Sequence, residues 1–145
     1  MVNLPDQFCR WAYKLSKPFL YLEGKVPEGR NTRRGKLFLL LAILLYRMSY
    51  CFNKKNGAIF FVAKCYQSLG NHEKALRFLK LTWETAAFSP ILFKELGTTC
   101  LRLGKYEEGL QFAQKEVSEY PASAEANAKL NLIEQTRLDV LLPEL

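Results

Sequence analysis

LGNHEKALRF at residues 69–78 and LGKYEEGLQF at residues 103–112 share Leu, Gly, Glu, Leu and Phe at matching places, with Gly70 and Gly104 standing 34 residues apart. Thirty-four residues is the period of a helix-turn-helix unit in a repeat protein. A single unit of this kind has an apolar face that it cannot cover alone, so successive units must stack. The pattern therefore predicts an all-α chain built from helix pairs.

The flanking residues carry the same reading. Ile59, Val62, Ala63 and Tyr66, and later Phe93, Leu96, Gly97 and Cys100, keep the i, i+3, i+4, i+7 rhythm of one buried helix face. Gly70 and Gly104 are placed to end the first helix of each pair, because glycine enters the left-handed region without a Cβ clash. Small Ala75 and Gly109 let paired helices approach closely. Ser89-Pro90 reads as an N-cap followed by a helix-starting proline, whose missing N–H would be unpaired there in any case.

With the first residue of each unit set at Asn56 and at Pro90, the repeat can be followed position by position. Phe93, Leu96, Gly97, Tyr106, Gly109 and Pro121 fall at the marker positions of the tetratricopeptide repeat, and Ile59, Val62, Ala63, Tyr66, Gly70 and Ala75 supply the first unit. Residues 56–123 thus resemble two tetratricopeptide repeats. Cys100, Leu79 and Ala113 stand where the family has aromatics, and Ala87 where it has proline.

The resemblance implies a right-handed superhelical stack of antiparallel helix pairs whose first helices line a concave groove. Carried over to this chain, the groove consists of Phe60, Lys64 and Gln67 from one unit and Ile91, Lys94, Thr98 and Leu101 from the next. Apolar anchors beside two cations suit an amphipathic helix or an extended peptide with acidic residues. Family members that grip a C-terminal carboxylate use Lys and Asn at set places; here Phe60 and Lys64 stand there, so that clamp looks absent. The function implied is that of a protein-binding adaptor or chaperone, with a second subunit or the N-terminal hairpin as competing occupants of the groove.

Beyond the repeats, Pro121-Ala122-Ser123 introduces a helix from about Ser123 to Leu141. Ala126, Leu130 and Ile133 are its packing residues, and Asn127, Lys129, Glu134, Gln135 and Arg137 are expected to face water, as a capping helix requires. No partner helix is expected after Pro143, and so no complete third downstream unit.

Before the repeats the character changes. Leu37–Tyr46 is an unbroken apolar run, LFLLLAILLY, that resumes after Arg47. A helix apolar all round is buried in protein or in lipid. The run is about half the roughly 20 residues needed to span a bilayer, and it lies too far from Met1 for a cleaved leader. A core helix is the first expectation and a membrane-associated helix the second. Phe8, Trp11, Ala12, Leu15, Phe19 and Leu22 recur at helical spacing and furnish its partner, with Pro18 kinking or splitting that helix. The expected organisation is residues 1–55 as a hairpin with a basic loop over 24–34, packed on repeats and a capping helix over 56–145.

Charge separates the two parts. Residues 1–55 hold 11 Lys and Arg against 3 Asp and Glu, a balance of +8, whereas residues 56–145 hold 10 against 11, a balance of −1, so the positive excess lies wholly on the hairpin. Lys25, Arg30, Arg33, Arg34 and Lys36 form the basic patch. It reads either as a solvated loop or as a surface for acidic protein or anionic lipid. Nucleic acid is disfavoured, because no recognition-helix signature or aromatic-rich strand pattern accompanies the charge. The alternative to a groove-binding module is therefore a peripheral membrane protein whose 37–52 helix and basic loop rest on anionic lipid while the repeats recruit a partner.

Catalytic chemistry finds no foothold. Cys9, Cys51, Cys65 and Cys100 form no CxxC pair, and one histidine, His72, completes no zinc-type set. No metal or other cofactor is implied. Cys51, Cys65 and Cys100 lie on apolar helical stretches, where a free cysteine is expected to behave as a small buried hydrophobe, consistent with a reducing cytoplasm. His72 falls at a turn position, better suited to packing than to proton transfer. Glu107 and Glu108 are neighbours on a helix and point in different directions. There is no phosphate-cradling glycine loop and no nucleophile elbow, so the chain is not expected to be an enzyme.

Overall fold

A computed structural model describes residues 3–20, 32–54, 57–85 and 90–141. Among these residues the structure is all-helical, with seven α-helices and no strand. In chain order they are α1 (Leu4–Ser16), α2 (Arg33–Phe52), α3 (Ala58–Ser68), α4 (His72–Thr85), α5 (Pro90–Arg102), α6 (Tyr106–Glu119) and α7 (Ala124–Leu141). Pro18 acts as anticipated: α1 ends at Ser16 and a 3-10 turn follows over Lys17–Phe19. Two compact units result, Met1–Ala86 and Ala87–Leu145. The division falls one helix pair later than the sequence division at residue 55, because α2 packs directly on α3.

The 34-residue period is legible in individual hydrogen bonds. At the end of α3, Gly70 N–H donates to Gln67 O at 3.0 Å and Asn71 N–H to Tyr66 O at 2.9 Å. At the end of α5, Gly104 N–H donates to Leu101 O at 3.2 Å and Lys105 N–H to Cys100 O at 2.9 Å. Both turns are Schellman closures, which require a left-handed residue just past the helix; Gly70 and Gly104 supply it at φ +79° and +69°.

In the first unit α1 and α2 are antiparallel. Ser49 Oγ donates to Pro5 O at 2.7 Å, Ser16 Oγ lies 3.5 Å from Tyr46 Oη, and Phe19 meets Phe38 at 5.8 Å. Tyr46 then stacks on Phe61 of α3 at 5.3 Å, joining three helices around Leu39, Ile43, Ile59 and Val62. Each fully buried side chain of that size contributes about 2 kcal/mol. Burial pushes the Cys65 thiol up to about 12, partly offset by a hydrogen bond with Ser16, and moves Tyr46 in the same direction.

In the second unit α5 and α6 approach where a Cβ on Gly109 would stand only 3.1 Å from Cys100 Cβ. Helix α7 begins with Ser123 Oγ accepting from Ala126 N at 3.2 Å and runs antiparallel to α6. Its Ala126 and Ile133 are buried as anticipated, but Lys129 is not a solvent-facing residue. Its Nζ pairs with buried Glu116 at 2.5 Å. The small face of Gly97 makes room for it, since a Cβ there would touch Lys129 Cδ at 3.3 Å.

One expectation divides in two. Helix α2 contributes Leu39, Ala42, Ile43 and Tyr46 to the core, yet Leu37, Leu40, Leu41, Leu44, Met48 and Phe52 are exposed. An apolar run of ten letters has no inside or outside of its own; α1 and α3 cover one face and leave the other bare.

Candidate functional site

Helices α2, α3 and α4 enclose an open cleft of about 520 Å³ in the first unit. Tyr66 on α3 and Phe78 on α4 stack nearly parallel against it, at 5.4 Å and 6°. Arg47, Lys74, Arg77 and Lys80 line it as well, with Glu84 as the acid. Lys74, Arg77 and Lys80 recur every third residue, so they climb α4 as one basic ridge. Asn71 holds the start of that helix by accepting from Lys74 N at 3.1 Å, and Lys74 Nζ stands 5.5 Å from the Tyr66 ring centroid. A cation over an aromatic face is attracted by the ring quadrupole, which here holds a lysine beside the cleft. The arrangement can take an extended acidic segment: cations for its carboxylates and a stacked aromatic pair for an apolar side chain.

In the sequence Tyr66 and Phe78 read only as repeat positions, with nothing to join them to the cations of the cleft. Arg47 interrupts an apolar run and lies 27 positions before Lys74. Only folding brings it beside α4. The three-residue spacing on α4 was the one available signal.

The seven groove residues divide between the units. Phe60, Lys64 and Gln67 lie along α3, but Lys64 and Gln67 are buried at 3% and 4%, leaving Phe60 partly open. The physical reason is that α3 is flanked by α2 and α4, so eight of its 11 residues are buried. Ile91, Lys94, Thr98 and Leu101 lie along α5. Ile91 is exposed at 60%, whereas Leu101 packs partly against Leu110, Ala113 and Ile133. Thr98 Oγ1 turns back to Lys94 O at 2.8 Å. Lys94 pairs with Glu125 at 2.5 Å; this hydrogen bond raises the lysine above its ordinary value and lowers the glutamate below its own. Both side chains are more than half exposed, so the pair adds little stability.

Of the basic patch, Lys25 and Arg30 lie outside the described residues. Arg33, Arg34 and Lys36 are exposed on the first turn of α2 rather than in a loop. Thr32 begins the helix early by accepting from Gly35 N at 3.0 Å, a cap that its residue type could have suggested. Ser89 and Asn56 also lie outside the described residues. His72 is the half-buried first residue of α4.

Compared with models of known protein families and with curated proteins, the chain matches none.

Proposed function

We propose that this chain is a protein-binding module of the adaptor or chaperone type, similar to tetratricopeptide repeats, that holds an acidic peptide or amphipathic helix of a partner. The observation that carries the reading is the cleft of α2, α3 and α4, lined by four cations and by the Tyr66–Phe78 stack. The Schellman turns repeated at 34 residues support the family likeness, and with it a right-handed superhelical stacking of successive pairs. A peptide with carboxylates at alternating positions would meet Arg47 on one side and the α4 ridge on the other, and an aromatic or aliphatic side chain between them would bury against Tyr66 and Phe78. Ile91 and Lys94 on α5 are a separate candidate contact within the second unit.

Affinity capture from lysate of the source cells, read by mass spectrometry, tests this with three baits: the wild type, Arg47→Glu/Arg77→Glu and Ile91→Ala/Lys94→Glu. The expected result is a protein recovered by the wild type and lost by the first variant, with unchanged helical circular dichroism. Equal recovery by all three baits removes the cleft, and no recovery above control by the wild type removes the function.

A further inference from the structure

Leu37, Leu40, Leu41, Leu44, Met48 and Phe52 are between 39% and 62% exposed. Their steps of three and four residues place them on one stripe of α2, opposite the stripe of Leu39, Ala42, Ile43, Tyr46 and Ser49 that is buried in the first unit. With 20 residues the helix is roughly 30 Å long, so the stripe extends well beyond a scattered surface leucine. At its far end Phe52 stacks on Phe8 of α1 at 6.1 Å, and Phe8 meets Trp11 edge-on at 6.2 Å. Trp11 is itself 52% exposed, which extends the apolar face onto a second helix.

Charge identifies what covers this face. Residues 3–20 and 32–54 hold eight Lys and Arg against one acid, Asp6. Three of the cations, Arg33, Arg34 and Lys36, crowd the first turn of α2, which contains no acid. Cations at a helix N-terminus oppose the backbone dipole, so their placement works against the helix that carries them. A local rule broken in this way points to a role outside the fold. We propose that the outward face of α2 seats the first unit on the surface of an anionic phospholipid bilayer.

Leucines, Met48 and Phe52 enter the boundary between acyl chains and headgroups, Trp11 sits at headgroup depth, and Arg33, Arg34 and Lys36 reach the lipid phosphates. Helix α2 is long and apolar enough to cross a membrane. It lies along the surface instead, because its opposite stripe is already engaged with α1 and α3 and Arg47 interrupts its length. A second copy of the chain would bring the same positive field against this face. The inference does not depend on the protein-binding reading, since no α4 residue takes part.

Flotation of the purified full chain with vesicles of phosphatidylcholine, alone or with about 30% phosphatidylglycerol, tests the proposal. The wild type floats with the anionic vesicles, and added salt weakens its binding. Leu40→Ser/Leu44→Ser remains with the soluble fraction; both leucines are more than half exposed, so the substitution leaves the fold intact. Arg33→Gln/Arg34→Gln binds about thirtyfold more weakly, since each cation near an anionic surface contributes about 1 kcal/mol. That variant relieves the dipole conflict, so misfolding does not explain its loss. In a Trp83→Phe background, Trp11 fluorescence shifts to the blue on anionic vesicles and is shielded from acrylamide. A wild type that never floats with anionic vesicles overturns the proposal, as does equal flotation of the leucine variant. So does a concentration-dependent dimer, dissolved by Leu40→Ser/Leu44→Ser, in protein that ignores vesicles.

Discussion

Lys129 Nζ stands 2.5 Å from Glu116 Oε2, and the two side chains, 12% and 6% exposed, bind α7 to α6. A carboxylate this well covered is tolerated because the ammonium accompanies it. Lys129→Ala should therefore destabilise the chain by about 3 kcal/mol, measured by urea denaturation, because it strands the buried Glu116. The paired change Glu116→Leu/Lys129→Met should recover most of that loss. A Lys129→Ala variant as stable as wild type would mean that water reaches Glu116 freely.

Two kinds of glycine should respond differently to substitution. Gly70→Ala and Gly104→Ala each force a side chain into a positive-φ turn with open space around it, for about 1–2 kcal/mol. Asparagine, which tolerates that conformation, should restore part of the loss. Gly109→Ala costs about 1–3 kcal/mol for another reason, the 3.1 Å approach to Cys100 Cβ, and there asparagine should be worse than alanine. Thermal melts of the six variants distinguish backbone strain from crowding.

Alkaline pH should weaken the first unit. The Cys65 thiol, ordinarily at 9.0, is pushed up to about 12 by burial. The unfolded chain therefore gives up this proton from about pH 9, while the folded chain keeps it. Its stabilising contribution is complete below pH 9 and falls by about 1.4 kcal/mol per pH unit until about pH 12. Tyr46, raised by burial as well, adds to the decline at higher pH. Urea midpoints at pH 8, 9 and 10.5 should fall in that order, and Cys65→Ala should flatten the early part of the slope.

Thiol labelling should follow burial. Cys65 and Cys100 are buried and Cys9 is half-covered, but Cys51, expected to be buried, is exposed because it falls on the outward face of α2 with Leu44 and Met48. Native protein treated with a maleimide should lose Cys51 first, and peptide mapping should find Cys65 and Cys100 modified only after unfolding. Early modification of Cys65 would mean that α1 and α2 open readily.

What could be read in advance follows from which residues have only one way to act. Gly70 and Gly104 announced their turns because almost no other residue closes a helix at positive φ, and Pro18 marked the end of α1 because it cannot donate to the helix. The apolar letters of α2 carried no such direction. Leu39 and Leu40 are the same residue one position apart, yet one is fully buried and the other is half exposed. Only the placement of α1 and α3 distinguishes them. Lys64 and Lys129 read as surface residues because lysine usually is one; their burial depends on neighbouring helices. The α4 cleft stayed hidden for the same reason, since Arg47 shares it with Lys74 and Arg77 only because α2 and α4 both pack on α3.

The three cations at the start of α2 leave that end of the helix under electrostatic load, held mainly by the Thr32 cap. Any anion that settles there relieves the repulsion and tightens the first turn. Occupancy and helix order are then one equilibrium, so protection of these amides from hydrogen exchange would report the bound anion without any label on it.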